Sequence, residues 1–269
     1  MTVKLVAIDT DGTLLNSQGE ILDSTKEVVK KALDKGIKIV LCSGRPIAGL
    51  AHYMKELGIS GEDQYAVTLN GAITRNADGK AITQDLVSNE MYRKMTAFGK
   101  KHHVPFNIVD ADSRIITADH DVDFMELVQA WENKAGMLIR EPDDFPKDFM
   151  ISKGCFVGNS SMLDQIEPLV RKEFAQDLYV VRADKNFLEL LNPKVNKGNG
   201  LKELGEKIGI TPEEMAAFGD AGNDITMFET VKTSICMGNG TEEAKKAAKY
   251  ITASNDEDGI AQAFEKYIF

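Results

Sequence analysis

Four short apolar runs in this chain each stop at a compact polar motif, and that recurrence narrows the possible folds more than any other feature. Leu5-Val6-Ala7-Ile8 runs into Asp9-Thr10-Asp11-Gly12-Thr13, and Ile37 to Cys42, broken only by Lys38, runs into Ser43-Gly44-Arg45-Pro46. Tyr65 to Leu69 ends at Asn70-Gly71, and Met215 to Phe218 ends at Gly219-Asp220-Ala221-Gly222-Asn223-Asp224. Continuous apolar runs of this length read as buried strands, too short to cross a membrane. Helical patterns separate them. Val28, Val29, Ala32 and Leu33 follow at helical spacing, Ser24-x-x-Glu27 predicts a capping box, and Gly36 ends the helix. Pro46 suits the first turn of the next helix. Strand, helix, strand, helix, strand with short connections predicts an α/β fold with a doubly wound, Rossmann-like parallel sheet.

The pattern breaks at about Asp85. Met91, Met95, Phe98 and His102 mark an amphipathic helix, followed by strands near Phe106–Val109 and Arg114–Thr117 and a helix from Phe124 to Ala130. A run from Met150 to Val157, a helix from Met162 to Phe174, and strands Leu178–Val181 and Phe187–Leu191 come next. Helix followed by two strands thus occurs twice, a faint internal repeat in an α+β unit. The sheet pattern then resumes: Thr211-Pro212-Glu213-Glu214 predicts a helix start, and Thr241 another. The chain therefore divides into a core of residues 1–84 and 192–269 and an inserted α+β cap of residues 85–191.

At 269 residues there is ample core for both parts. A formal net charge of −10 opposes general binding to a nucleic-acid backbone, which needs clustered Lys and Arg. It also means that an anionic substrate needs local help from a metal ion, aimed cations or amides. Cys42, Cys155 and Cys236 lack paired spacing, which points to free thiols in a reducing, cytoplasmic setting. No basic-apolar leader precedes Val3, so neither export nor membrane insertion is expected. The expected assembly is a monomer or homodimer.

In a parallel sheet all carboxyl ends face one side, so the four polar motifs converge on one crevice, and Lys197-Gly198 opens a helix close to that rim. Several acids, a hydroxyl, glycine turns and one lysine suit a phosphate beside Mg²⁺, which prefers carboxylate, carbonyl and water oxygens. Lys197 and Ser43 would neutralise and orient phosphoryl oxygens, helped by amides of the Ser43-Gly44 turn. Taken singly, each motif has a plainer reading. Ser43 equally suits a helix cap, Asp220 and Asp224 suit a helix dipole, and Asn70-Gly71 reads as a structural turn.

Together these residues resemble the four motifs of the haloacid dehalogenase superfamily of phosphohydrolases. Asp9-Thr10-Asp11-Gly12-Thr13 is similar to the first motif, Ser43 to the second, Lys197 to the third, and Gly219-Asp220-Ala221-Gly222-Asn223-Asp224 to the fourth. Thr10 stands where the family more often has an apolar residue. The insertion resembles the type IIB (C2B) cap of the Cof-like branch, and Asn70-Gly71-Ala72 with Val195-Asn196-Lys197-Gly198 looks most like YidA-type sugar phosphatases. The resemblance implies a Mg²⁺-dependent phosphatase of small phosphorylated metabolites, sugar phosphates above all, working through an aspartyl-phosphate. It implies Asp9 as nucleophile and Asp11 as acid/base. The metal ligands it implies are Asp9, the Asp11 carbonyl and Asp220, with Asp224 in support. Ser43, Gly44, Lys197 and Asn223 are implied to hold the phosphoryl group. Cap candidates for reading the leaving group are Asp119, His120, Arg182 and Glu189. Two competing readings share the scaffold: a phosphomutase or phosphotransferase, and a non-catalytic phosphometabolite-binding regulator. His102 and His103 read as helix surface, and Trp131 and the methionines as packing.

Overall fold

A computed structural model describes residues 2–134 and 136–269. In chain order the elements are β1 (Leu5–Ile8), α1 (Asp23–Asp34), β2 (Lys38–Cys42), α2 (Ile47–Glu56), β3 (Tyr65–Thr68), β4 (Ile73–Asn76) and β5 (Ala81–Gln84). Next come α3 (Asn89–His102), β6 (Phe106–Val109), β7 (Ile115–Thr117), α4 (Phe124–Glu132), β8 (Met137–Ile139), β9 (Lys153–Val157), α5 (Ser160–Phe174), β10 (Tyr179–Asp184) and β11 (Phe187–Leu191). The chain closes with α6 (Lys197–Ile208), β12 (Met215–Gly219), α7 (Ile225–Thr230), β13 (Thr233–Cys236), α8 (Glu242–Ala247), β14 (Tyr250–Ile251) and α9 (Gly259–Ala263).

Two compact units form. The first holds residues 1–44, 50–84 and 196–269, and the second residues 45–49 and 85–195. The first is built on one sheet of order β14-β13-β12-β1-β2-β3-β4-β5. Strand β1 lies between β2 and β12, parallel to both, with Leu5 opposite Lys38 and Met215. Each residue of β1 is buried, as a central strand covered on both faces demands, and this is why its sequence is a continuous apolar run. On one face Leu5, Ala7, Val40, Val67 and Ala217 pack with Leu201 and Leu204 of α6 and with Met227 and Phe228 of α7.

The sheet is not wholly parallel. Past β3 it ends in an antiparallel extension, β3–β4 and β4–β5, turning at Gly79 with φ +91°. Two further expectations need correction. Leu22, not Ser24, precedes the first turn of α1, with no side-chain cap, and the Ser24 hydroxyl instead donates to Asp258 Oδ1 at 2.5 Å. Thr211-Pro212-Glu213-Glu214 does form a capping box, but over a single 3₁₀ turn that passes directly into β12. Parallel pairing with β1 takes up Met215 before a helix can propagate.

The second unit has its own sheet, order β10-β11-β9-β6-β7-β8, antiparallel except where β8 joins β7. The helix–strand–strand order recurs as α3-β6-β7 and α5-β10-β11. Helices α3 and α5 lay Tyr92, Met95, Leu163, Ile166 and Val170 on Phe106, Ile108, Phe156, Leu188 and Leu190. Helix α4 departs from this pattern. Its buried side chains are Glu126 and Gln129, and its exposed ones include Phe124, Leu127 and Trp131.

Candidate active site

The site of the first unit is built from four neighbouring strand ends. After Ile8 the chain leaves β1 through a tight π-type turn over Thr10–Leu14, closed by Leu14 N–H donating to the Asp9 carbonyl at 3.1 Å. Asp9 N–H donates to Phe218 O at 3.0 Å, which ties the turn to the end of β12. Gly12 has φ +78°, and a Cβ there would lie 2.6 Å from Asp220 Oδ2. Only glycine meets both demands. Gly219 meets a similar limit, since its Cβ would stand 2.5 Å from Asp224 Cβ and Cγ.

Asp9, Asp220 and Asp224 come together, with one carboxylate oxygen of each within 4.8 Å of the others. Lys197, fully buried at the first position of α6, sends Nζ to Asp9 Oδ1 at 2.5 Å and to Asp224 Oδ1 at 2.7 Å. The other oxygen of Asp224 accepts the N–H groups of Asp220 (2.9 Å) and Ala221 (3.0 Å). Asp224 is therefore fully engaged and fixes both the lysine and the loop that carries Asp220. The Thr13 hydroxyl donates to Asp220 Oδ1 at 2.8 Å and holds the third carboxylate in place.

The electrostatics follow from burial. Desolvation pushes the Asp9 carboxyl up to about 8, against the lowering pull of Lys197 and with the repulsion of Asp224 added. Asp220 is also raised, chiefly by burial, with the Thr13 hydrogen bond opposing. Burial alone would lower the Lys197 ammonium, but Asp9 and Asp224 outweigh it and hold it protonated. Three carboxylates thus face one ammonium. A hard, oxygen-only donor set with surplus negative charge fits a Mg²⁺-like ion. Cys42 lies in the field of Lys197, Asp224 and Asp9, yet burial carries its thiol far up, which removes it as a nucleophile at neutral pH.

The phosphate candidates gather beside this cluster. Ser43 is buried, its N–H donates to Val67 O, and its carbonyl accepts Asn70 N–H, both at 2.9 Å, so the ends of β2 and β3 are stitched together. Helix α2 begins only at Ile47. Asn70 has φ +56°, its side-chain amide would stand 3.3 Å from a Cβ on Gly44, and its Oδ1 accepts from Asn223 Nδ2 at 3.3 Å. Ser43, Gly44, Asn70 and Asn223 therefore share one patch. Asp11 lies within the tight turn with its side chain exposed, and its carboxylate is not part of the acidic cluster.

The sequence motifs include Thr13 without a role and leave out Asn239, whose Nδ2 donates to Gly12 O at 2.8 Å, and Asn70 reads there as a plain turn. Only the Asn-Gly pair hinted at the left-handed geometry of Asn70. The cap candidates belong to the second unit. There Asp119 accepts Phe106 N–H at 2.9 Å, Glu189 pairs with buried Lys153, and Arg182 bonds Glu167 and Asp164. His120 is exposed.

The family model for haloacid dehalogenase-like hydrolases matches residues 6–264. The phosphatase YwpJ of Bacillus subtilis is 30% identical over 281 aligned residues, covering 96% of this chain and 98% of its own. A haloacid dehalogenase-like hydrolase from Bacteroides thetaiotaomicron is similar in structure, with TM-score 0.88, 32% identity and full coverage of both chains. A sugar phosphatase of subclass IIB aligns with TM-score 0.77 at 25% identity, over 98% of this chain and 99% of that one.

Proposed function

This chain belongs to the haloacid dehalogenase-like hydrolases, and on that premise we propose that it is a Mg²⁺-dependent phosphatase of small phosphorylated metabolites, sugar phosphates among them, working through a phosphorylated Asp9. One observation carries the reading most. A buried carboxylate, Asp9, sits at the carboxyl end of the central strand against a buried lysine, with Asp220 and Asp224 close enough to share an ion.

In the first step an Asp9 oxygen forms a bond to phosphorus while the ester P–O bond breaks, and Asp11 delivers a proton to the departing alcohol oxygen. In the second step a water oxygen bonds to phosphorus, the Asp9 O–P bond breaks, and Asp11 takes the water's proton. Asp11 starts and ends in the same state, so the cycle closes. Lys197 offsets the charge of Asp9 as the phosphoryl group approaches, while Ser43, Gly44 and Asn223 orient its oxygens. Asp9, Asp220 and the Asp11 carbonyl would hold Mg²⁺, with Asp224 in support. When bound, the ion would supply charge neutralisation between carboxylate and phosphate. The second unit, centred on residues 85–191, selects the leaving group in this reading.

A screen of phosphorylated metabolites, measuring released phosphate with Mg²⁺ and with EDTA, tests the proposal. Phosphate release that is unaffected by EDTA, or none from any ester, overturns it. Conversion of one sugar phosphate isomer into another without free phosphate would instead identify a mutase. Asp9→Asn should abolish turnover while the far-UV circular dichroism stays that of the wild type.

A further inference from the structure

The turn that carries Asp11 is gripped from a distant part of the chain. Within Thr10–Leu14, Asp11 at φ −83°, ψ 122° and Gly12 at φ 78°, ψ −4° have the angles of a type II turn. Just beyond, Leu15 and Ile21 pair in a short antiparallel hairpin, in which Asn16 N–H donates to Glu20 O at 2.9 Å. The loops after β13 and β14 hold both. Asn239 Nδ2 donates to Gly12 O at 2.8 Å, and Asn255 Nδ2 donates to Leu15 O at 2.7 Å. Asn255 N–H in turn donates to Asn239 Oδ1 at 3.0 Å, and Ser17 N–H donates to Asp256 Oδ1 at 2.8 Å. Gly238 N–H fastens the two loops together by donating to Ala253 O at 3.0 Å. The first loop is also tied to the one that carries Asp220, since Thr241 N–H donates to Asp220 O at 2.8 Å.

We propose that Asn239, held by Asn255, is the positioning residue of Asp11: it sets the turn so that the Asp11 carboxyl can pass a proton to the departing alcohol and take one from water. The inference rests on the acid/base role given to Asp11 above. The base of the turn is set by the sheet, since Asp9 N–H bonds to Phe218 O and Leu14 N–H returns to Asp9 O. The apex is not. Type I and type II turns differ by a half-turn of the central peptide, here Asp11–Gly12, and glycine permits both. Asn239 takes hold at the very next carbonyl. Its amide suits the place, because its nitrogen donates to Gly12 O while its oxygen accepts Asn255 N–H. A carboxylate of the same shape can only accept. Because the Asn239 loop is bonded to Asp220 O as well, it sets the turn of Asp11 against the loop of Asp220.

A comparison of leaving groups tests this. Nitrophenolate departs from 4-nitrophenyl phosphate without a proton, whereas an alkoxide needs one, and general acid help of that kind is worth about 10²–10⁴-fold. Asn239→Asp keeps the shape and removes the donor. At saturating Mg²⁺ it should lower kcat/KM about tenfold or more for the sugar phosphate turned over fastest in the metabolite screen, and less than about threefold for 4-nitrophenyl phosphate. Water attack on phosphorylated Asp9 needs Asp11 whichever ester came in. With 4-nitrophenyl phosphate, kcat and KM should therefore fall together, and a burst of about one nitrophenolate per protein should precede the slow phase. The ratio of the two esters does not depend on how much of a preparation is folded. Asn255→Ala should move that ratio the same way, and the double variant no further than Asn239→Asp alone. Asp11→Asn is the control. If it lowers both esters alike, the acid/base reading falls and the inference falls with it. If Asp11→Asn separates the esters while Asn239→Asp lowers both alike, or leaves both unchanged, the reading stands and the inference is overturned.

Discussion

Lys197→Met should destabilise the protein through the two carboxylates it leaves behind. The ammonium is fully buried and lies 2.5 Å from Asp9 Oδ1 and 2.7 Å from Asp224 Oδ1. Methionine keeps most of the volume and removes the charge. Each charge-assisted hydrogen bond is worth about 1.5–3 kcal/mol, and breaking a buried pair by removing one partner costs about 3–5 kcal/mol because the other charge stays behind. Asp224 cannot escape to solvent, since its second oxygen is held by the Asp220 and Ala221 amides. At about 2–4 °C per kcal/mol for a chain of this size, the thermal transition should fall by about 6–20 °C. The assay is circular dichroism at 222 nm in EDTA. Adding Asp9→Asn should return about 1–3 kcal/mol of the loss, because one stranded carboxylate is then neutral, while activity stays absent. A melt within about 2 °C of wild type, or strictly additive losses, would refute the account of Lys197 as counter-ion to both acids.

Three further outcomes follow from the same geometry. Thr13→Val should weaken Mg²⁺ binding by about 10–100-fold, read as the metal concentration giving half-maximal activity, since Asp220 loses the hydroxyl that orients it. Gly219→Ala should reduce kcat by more than tenfold with little change in fold, because its Cβ would displace Asp224 and with it Lys197, and fully retained activity would count against that chain of contacts. Stability should also depend on pH through Glu126, whose carboxyl is pushed up to about 7, chiefly by burial, from an ordinary value of 4.5. The folded state then binds a proton that the unfolded state has released. The stabilisation is full below about pH 4.5 and is lost as pH rises through 7, in total about 2–3 kcal/mol. Chemical denaturation of Glu126→Gln should show that slope removed.

The first unit was the more legible in sequence. Asp9 and Asp220 each end a strand that is buried on both faces, and such strands announce themselves as unbroken apolar runs. What could not be read was set by partners far along the chain. Ser24 looked like a cap from its neighbours, but its hydroxyl bonds to Asp258, 234 positions away. Thr211-Pro212-Glu213-Glu214 carried a true local signal, and pairing of Met215 with Leu5 cut it short after one turn. Asn70 reached the site through a left-handed backbone that an Asn-Gly pair permits without requiring. The helix expected from Phe124 to Ala130 forms as α4, but its buried side is the polar one, because Asn107 and Thr117 of the sheet face Glu126.

The split of the first unit across the chain has a consequence for biosynthesis. Asp9 and Lys197 are 188 residues apart, and Leu5 pairs with Met215 across a still longer interval. At about 5–20 residues per second, a ribosome takes roughly 10–40 s to deliver the lysine after the aspartate has been made. For that time the nascent β1 has β2 available beside it but neither β12 nor a counter-charge for Asp9. The intervening unit, with its own sheet and core, can be complete before its host is. The site therefore cannot be assembled half-made: Asp9 acquires its buried lysine only once the inserted unit has been synthesised.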